Sequence, residues 1–394
     1  MNYIVIGAGI IGNALAREIS KRNMGSVLVL EKEMDSAMHA SGRNSGVIHS
    51  GINQRHGTMK AQLCLEGSRL LRDYCLEKGI AMKECGTIIV ALTEKERKDL
   101  EHLFVMAEKV GVPGARLISQ GELREREPFA KGLEALLSPT GAVVAQKSLV
   151  KSLQADAESF GAEYRFGTIV KEINGRTITT SHGDFKTDFI INCAGLQADE
   201  IAHMMGVGLN YSVIPFRGEY VSVPAKVNSM VYQVPDLRYP FLGVHLTSST
   251  DGKTLAGPTA TISLGGKEDY AKTYNLQSIT KLLAQIGVIP WATKTLINPS
   301  SLKQIVYNLR LSHSPTFLAR EIEKLYSGEI QLRDMRSHPA GIRAQLVDSN
   351  GNLVNDFCLE TTPHSLHLLN TVSPGMTSSL AFAKHITDKY LLRK

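Results

Sequence analysis

No stretch of this 394-residue chain approaches the roughly 18–20 consecutive apolar residues that span a bilayer, which excludes a membrane-spanning helix. Cysteine is scarce and scattered. Cys64, Cys75, Cys85, Cys193 and Cys358 form no CxxC pair and have no metal-ligand spacing. That excludes a disulfide scaffold and a zinc ribbon, and reads as the reduced thiols of a cytoplasmic protein. The histidine pairs His313/His338 and His364/His367 lack further ligands nearby in sequence, so no metal is expected. There is no run of five or six basic residues. The formal net charge of +6 reads as a mild excess spread along the chain, so nucleic-acid binding is not indicated. Internal repeats and low-complexity tracts are absent. No secretory leader is expected, because residue 3 already begins a strand-like run. What is present, 43% apolar and 21% charged residues, is an ordinary globular composition at a length that suits two domains.

The most informative stretch is the first 31 residues. Tyr3-Ile4-Val5-Ile6 has strand length and apolarity, and Gly7-Ala8-Gly9-Ile10-Ile11-Gly12 follows at once. An apolar-periodic segment from Asn13 to Lys21 and a second apolar strand, Val27-Leu28-Val29-Leu30, lead to Glu31. Strand, glycine turn, helix, strand and acid make the pattern of a dinucleotide-binding βαβ unit. Gly7 permits the tight turn, Gly9 leaves room for a pyrophosphate, and Gly12 lets the helix lie close on the sheet. The helix start offers free N–H groups and partial positive charge to phosphate. Glu31 can accept bonds from ribose hydroxyls and argues against a 2′-phosphate.

Periodicity predicts helices over 59–78, 94–110, 146–160 and 376–389, and mostly helical structure over 275–333. Strands are predicted near 86–92, 140–144, 185–192 and 366–370. Short strands at 212–223, 229–234, 241–247 and 253–256 suggest an antiparallel sheet. The fold class is therefore α/β with an α+β second domain. Residues 1–80, 145–205 and 336–394 are expected to form a discontinuous Rossmann-like nucleotide-binding domain. Residues 81–144 and 206–335 are expected to form a substrate domain around the antiparallel sheet. A nucleotide domain stitched from three pieces is more typical of flavoproteins than of nicotinamide dehydrogenases.

A second informative stretch is His39-Ala40-Ser41-Gly42-Arg43-Asn44-Ser45-Gly46-Val47-Ile48-His49-Ser50-Gly51-Ile52, whose small residues allow close backbone approach and whose hydroxyls can bond phosphate or ribityl oxygens. With the fingerprint, it joins Lys60-Ala61-Gln62-Leu63-Cys64, Asn192-Cys193-Ala194-Gly195 and Ile214-Pro215-Phe216-Arg217-Gly218-Glu219-Tyr220. Val234-Pro235-Asp236, Pro240-Phe241-Leu242-Gly243-Val244-His245-Leu246-Thr247, Pro339-Ala340-Gly341-Ile342-Arg343-Ala344-Gln345-Leu346 and Ser373-Pro374-Gly375-Met376-Thr377-Ser378-Ser379-Leu380 complete the set. Together these segments resemble the L-2-hydroxyglutarate oxidase/dehydrogenase family, within the FAD-dependent D-amino-acid-oxidase and glycine-oxidase superfamily. The likeness runs in order over most of the chain and is weak across about 265–335.

The resemblance implies FAD-dependent oxidation of L-2-hydroxyglutarate to 2-oxoglutarate, with hydride passing from C2 to the flavin and electrons going on to quinone or dioxygen. Another small 2-hydroxy acid, an amino acid or a secondary amine is the alternative substrate. It implies that Gly7, Gly9 and Gly12 hold the pyrophosphate, and that Glu31 and the adjoining Lys32 flank the adenosine ribose. Ser41, Ser45 and Gly46 would line the pyrophosphate and ribityl chain, and Val170 the adenine. Ala194 and Gly195 form a second glycine turn, and Gly375, Met376 and Thr377 open a helix toward the flavin. Arg343 is expected to clamp the substrate carboxylate, and His245 or His49 to take the hydroxyl proton. Lys60, Arg217 and Tyr239 are the candidates for a second anion site. The basic, apolar stretch from Ile279 to Leu332 reads either as a core cover or as an interfacial surface. The location expected is cytoplasmic, or peripheral on the inner face of the cell membrane.

Overall fold

The strands of the fingerprint are apolar on both faces, and alternation sends their side chains two ways. In the computed structural model, which describes residues 1–235 and 243–392, Tyr3 and Val5 of strand Asn2–Ile6 point into one core cluster and Ile4 and Ile6 into another. The strand is thus the centre of a six-stranded sheet. Its order is Cys358–Thr362, Ser365–Asn370, Phe189–Asn192, Asn2–Ile6, Ser26–Leu30, Glu163–Arg165. All neighbours are parallel except the edge hairpin of the first two. Helices Ile10–Lys21, Met59–Lys78, Gln146–Ser159 and Gly375–Ile386 cover one face, with Leu15, Ile19, Leu71, Leu149, Phe189 and Phe382 in their shared core. A three-stranded meander, Val170–Asn174, Thr177–Thr180 and Gly183–Lys186, covers the other through Ile173 and Ile178.

A second sheet has eight strands: Arg336–Ser337, Val221–Val223, Thr254–Gly257, His245–Ser248, Met230–Gln233, Thr87–Ala91, Glu134–Ser138, Arg116–Ser119. It is antiparallel as expected, save that Met230–Gln233 runs parallel to Thr87–Ala91. Those two strands are far apart in sequence, so no hairpin fixes their relative direction. Helices Pro299–His313 and Pro315–Leu325 cap themselves with Asn298 and Ser314 ahead of a first-turn proline. The second packs Leu318, Ile322 and Leu325 onto the sheet's Ile88, Val90, Val231 and Leu246.

A small sheet joins the two halves. Gly341–Asp348 lies antiparallel to Tyr211–Gly218, with Arg343 opposite Phe216 and Arg217 opposite Ile342. Directly opposed residues share a face, and their neighbours point the other way. Arg343 and Arg217 therefore project from opposite sides of this sheet.

Candidate functional site

At the C-terminal end of the parallel sheet the chain turns twice, and one cavity of about 890 Å³ runs from these turns to the second sheet. Such a volume is at the upper end for a ligand site. Gly7 turns with φ +104°, and a Cβ there would stand 2.6 Å from the Cys193 carbonyl oxygen. A Cβ on Gly12 would stand 2.0 Å from the Gly7 carbonyl oxygen. Neither position admits a larger residue without moving backbone. Gly12 and Gly46 shape the turns from behind and are not in the cavity wall, whereas Gly7 and Gly9 are.

The turn is braced by groups the sequence pattern does not announce. Asn13 donates its side-chain amide to the carbonyls of Ala8 and Gly9, at 2.7 and 3.0 Å, and Tyr164 donates its hydroxyl to Asn13 Oδ1 at 2.6 Å. Ser41 Oγ accepts the Ile10 N–H at 2.9 Å, leaving its own proton to donate. Glu31 accepts the Ala8 N–H at 2.7 Å and the Glu33 N–H at 2.9 Å, one on each carboxylate oxygen. Each oxygen retains a lone pair for a ribose hydroxyl. Lys32, Ser41, Ser45, Val170, Ala194 and Gly195 all line the cavity. The Lys32 ammonium is engaged by Glu33 and Glu268.

A second helix start, Gly375–Met376–Thr377, faces the cavity's middle. It is held by close helix packing: a Cβ on Gly67 would lie 2.3 Å from the Thr377 carbonyl oxygen. Thr377 Oγ1 accepts the His49 N–H at 3.0 Å and donates to the Val47 carbonyl. The loop before His49 and the helix start are therefore one unit. Two helix N-termini, bare glycine backbone at Gly9, Gly195 and Gly375, and a ribose-competent carboxylate fit a dinucleotide with an anionic centre.

Arg343, Lys60, His49 and His245 also line this cavity, Arg343 close to Lys60 and His49 close to His245. His245 Nδ1 lies 3.0 Å from the Gly243 carbonyl oxygen. A carbonyl can only accept, so Nδ1 carries the proton and Nε2 keeps its lone pair. Tyr232 stacks on the ring with centroids 4.1 Å apart, and Tyr220 meets it edge-on at 6.3 Å. His49 Nε2 lies 3.2 Å from Ser373 Oγ. Burial pulls both imidazoles down to about 4, with each other's proximity adding to the effect at His245. Both are neutral at pH 7.

Lys60 sits in the first turn of helix Met59–Lys78, where a cation opposes the helix dipole. Asp356 accepts the N–H groups of Met59 and Lys60 at 2.9 and 3.0 Å and offsets part of that cost. Burial, with Arg343 nearby, pulls the Lys60 ammonium down to about 7. Arg343 is enclosed by protein except toward the cavity, donates Nε–H to Gln345 Oε1 at 3.2 Å, and is lowered to about 10, still fully charged at neutral pH.

One of the expected anion-site residues is not brought here. Arg217 lies behind the small sheet and outside the cavity wall, with its guanidinium 3.3 Å from Glu219 Oε1. Its strand parity makes it a structural ion pair, which corrects its assignment to substrate. Tyr239 lies outside the described residues. Sequence reading missed Tyr220, Tyr232, Gly243 and Ser373 as companions of the histidines. Tyr220, Gly243 and Ser373 stand inside segments that carried the family likeness, and that was their only signal.

Comparison with known proteins agrees with this geometry. The family described as FAD dependent oxidoreductase (DAO) matches residues 2–389. Human mitochondrial L-2-hydroxyglutarate dehydrogenase is 33% identical over 98% of this chain and 88% of its own length. The L-2-hydroxyglutarate dehydrogenase of Indibacter alkaliphilus is 34% identical over 99% of this chain and 98% of its own. Among solved structures, the FAD-bound, dithionite-reduced L-α-glycerophosphate oxidase of Mycoplasma pneumoniae superposes with TM-score 0.74 at 22% identity, covering 97% of this chain and 92% of the other. Glycine oxidase of Geobacillus kaustophilus gives 0.73 at 19%, covering 98% and 93%. These two share the fold. With its fingerprint, its cavity and a match from residue 2 to 389, the chain belongs to the DAO family of FAD-dependent oxidoreductases.

Proposed function

We propose that this protein oxidises L-2-hydroxyglutarate to 2-oxoglutarate. One observation carries the reading: two cations, Arg343 and Lys60, and two neutral imidazoles, His49 and His245, line the same cavity as the dinucleotide fingerprint. A five-carbon 2-hydroxy diacid needs two anion sites and a base between them. Relatives at 32–34% identity over nearly the whole chain are named for that substrate, which supports the same choice.

Residues 1–80, 145–205 and 336–394 form the cofactor-binding part in this reading, and 81–144 with 206–335 the substrate part. Gly7 and Gly9 would receive the pyrophosphate, with Gly12 letting the helix lie close behind them, Glu31 and Lys32 would flank the ribose, and Val170 the adenine. Ser41 and Ser45, with Ala194 and Gly195, would line the chain between, and Gly46 shapes the serine loop from behind. Gly375, Met376 and Thr377 open a helix whose free N–H groups would favour an anionic part of the bound flavin. When bound, FAD supplies the acceptor for the hydride leaving C2.

The chain's own residues do the rest. Arg343 binds the C1 carboxylate bidentately and cannot lose its charge at working pH. Lys60 binds the distal carboxylate. His245 Nε2 takes the hydroxyl proton, its tautomer fixed by Gly243 and its plane by Tyr232. His49, tied to Thr377 through its backbone and to Ser373 through its ring, orients the same hydroxyl. Reoxidation is by quinone or dioxygen. Turnover with L-2-hydroxyglutarate and an artificial acceptor tests the reading: stoichiometric 2-oxoglutarate is expected. Turnover of glycine, sarcosine or glycerol 3-phosphate in its place would overturn it.

A further inference from the structure

Beyond strand Thr261–Ile262 the chain enters a loop that is built before it reaches anything else. Asp269 accepts the N–H groups of Ala271 and Thr273 at 3.0 and 2.7 Å. Ser263 Oγ donates to the Gly266 carbonyl at 2.7 Å, and Ser278 Oγ to the Gly265 carbonyl at 3.1 Å. Three side chains leave this loop in succession, and each grips the rim of the dinucleotide end of the cavity. Lys267 Nζ lies 2.6 Å from Asp199 Oδ1 and 3.0 Å from Glu200 Oε1. Glu268 pairs with the Lys32 ammonium and accepts the Gln197 amide. Tyr270 Oη is 2.7 Å from His39 Nδ1, and the Arg43 guanidinium lies 3.9 Å from its ring centre.

The partners fall into two groups. Lys32, His39 and Arg43 belong to the loop after the second strand of the fingerprint. Gln197 and Glu200 belong to the turn and helix after strand Phe189–Asn192. All five line the cavity, while Lys267, Glu268 and Tyr270 stand outside its wall. The loop therefore ties together, from outside, the two lips between which a dinucleotide must pass. His39 extends the network inward through Glu33, at 2.8 Å. Glu33, His39 and Glu268 bring possible ligand atoms within 4.8 Å of one another, but the Lys32 ammonium already supplies the positive charge there.

We propose that Lys267, Glu268 and Tyr270 form a clasp that retains the adenosine half of FAD. This rests on the cofactor reading above and adds to it a set of residues that touch the cavity's lips and not its contents. Release of the cofactor requires the lips to part, and parting them breaks ion pairs that span the gap. The clasp makes release slow, and salt makes it faster by screening those pairs.

The test follows the rise of free-flavin fluorescence after dilution of the holoenzyme, at low salt and at about 0.5 M NaCl. In the wild type, release accelerates with salt. In Glu268→Gln combined with Tyr270→Phe, release is roughly tenfold faster at low salt and loses most of its salt response, as removal of an exposed ion pair and a part-buried hydrogen bond implies. The urea midpoint of the apoprotein, unchanged, separates loss of the clasp from loss of fold. Lys267→Gln alone, which leaves the other two contacts in place, gives a smaller change in the same direction. Flavin that binds but escapes at the same rate and with the same salt response in all three proteins overturns the clasp alone. A wild-type protein that takes up no flavin overturns the cofactor reading and the clasp with it.

Discussion

Lys60 is the residue whose surroundings make the sharpest demand. A buried ammonium at a helix N-terminus beside a guanidinium is held against both dipole and neighbour, and burial brings it to about 7. A dicarboxylate supplies the missing counter-charge. Lys60→Met is therefore expected to raise KM for L-2-hydroxyglutarate about 10–100-fold, the worth of a charge-assisted hydrogen bond. KM for a monocarboxylic 2-hydroxy acid should change little, and equal losses for both acids would remove the distal-carboxylate role. The same residue sets a pH limit. His245, lowered to about 4, is neutral and able to accept a proton from about pH 5 upward. Lys60 loses its charge as pH rises through about 7. In the free enzyme kcat/KM is expected to rise near pH 4, hold, and fall above pH 7, with the alkaline fall absent in Lys60→Met. His245→Ala should lower the rate of flavin reduction by about 10²–10⁴-fold, and His49→Ala by less. Gly7, Gly9, Gly12 and Glu31 were legible because their spacing is local and each answers one steric or bonding need. Arg217 was misread because parity against a distant strand decides which side it faces, and that pairing is not written in its own segment. Tyr232 was illegible for the same reason, and Gly243 stood in a matched segment without a sign of its bond to His245. They matter only because the fold sets them against His245.

Helix Met59–Lys78 shows how an element serves the site. Its first turn presents Lys60, and its middle lets the flavin-facing helix approach through Gly67. Gly67→Ala puts a methyl 2.3 Å from the Thr377 carbonyl oxygen, where backbone must yield. It is expected to cost about 1–3 kcal/mol in urea unfolding of the apoprotein, as overpacked sites do, and to weaken FAD binding as well. Full FAD affinity together with unchanged stability would show that the two helices are not fixed to each other in this way. The helices 59–78 and 94–110 were legible to the residue because cap, periodicity and C-terminal glycine agree. Strands Arg116–Ser119 and Glu134–Ser138 were not read at all. They are short and sit in a charged stretch, and only pairing in the eight-stranded sheet explains them.

At the scale of the whole molecule the charge is not spread as composition suggested. Residues 270–320 hold Lys272, Lys281, Lys294, Lys303, Arg310 and Arg320 and no acid, six of the 44 bases, so the remaining 38 balance the 38 acids. The same segment exposes Tyr274, Leu276, Ile289, Leu296 and Ile297, each more than half accessible. No helix of the described residues is long and apolar enough to cross a membrane. A basic, apolar segment of this kind suits an anionic bilayer surface, where each basic residue near it contributes about 1 kcal/mol. Sedimentation with phosphatidylglycerol vesicles, and not with neutral ones, is expected, and should be lost on reversing Lys281, Lys294 and Lys303 to Glu. Binding that ignores lipid charge would contradict it. One cavity holds both the dinucleotide fingerprint and the two cations and two imidazoles that suit a 2-hydroxy diacid. The most direct measurement is anaerobic mixing of the holoenzyme with L-2-hydroxyglutarate while the visible flavin band is followed. Rapid bleaching by the L-acid, slowed at least tenfold in Lys60→Met at subsaturating substrate, is the predicted result. No bleaching by this acid, with bleaching by an amino acid or glycerol 3-phosphate, is the result that would contradict it.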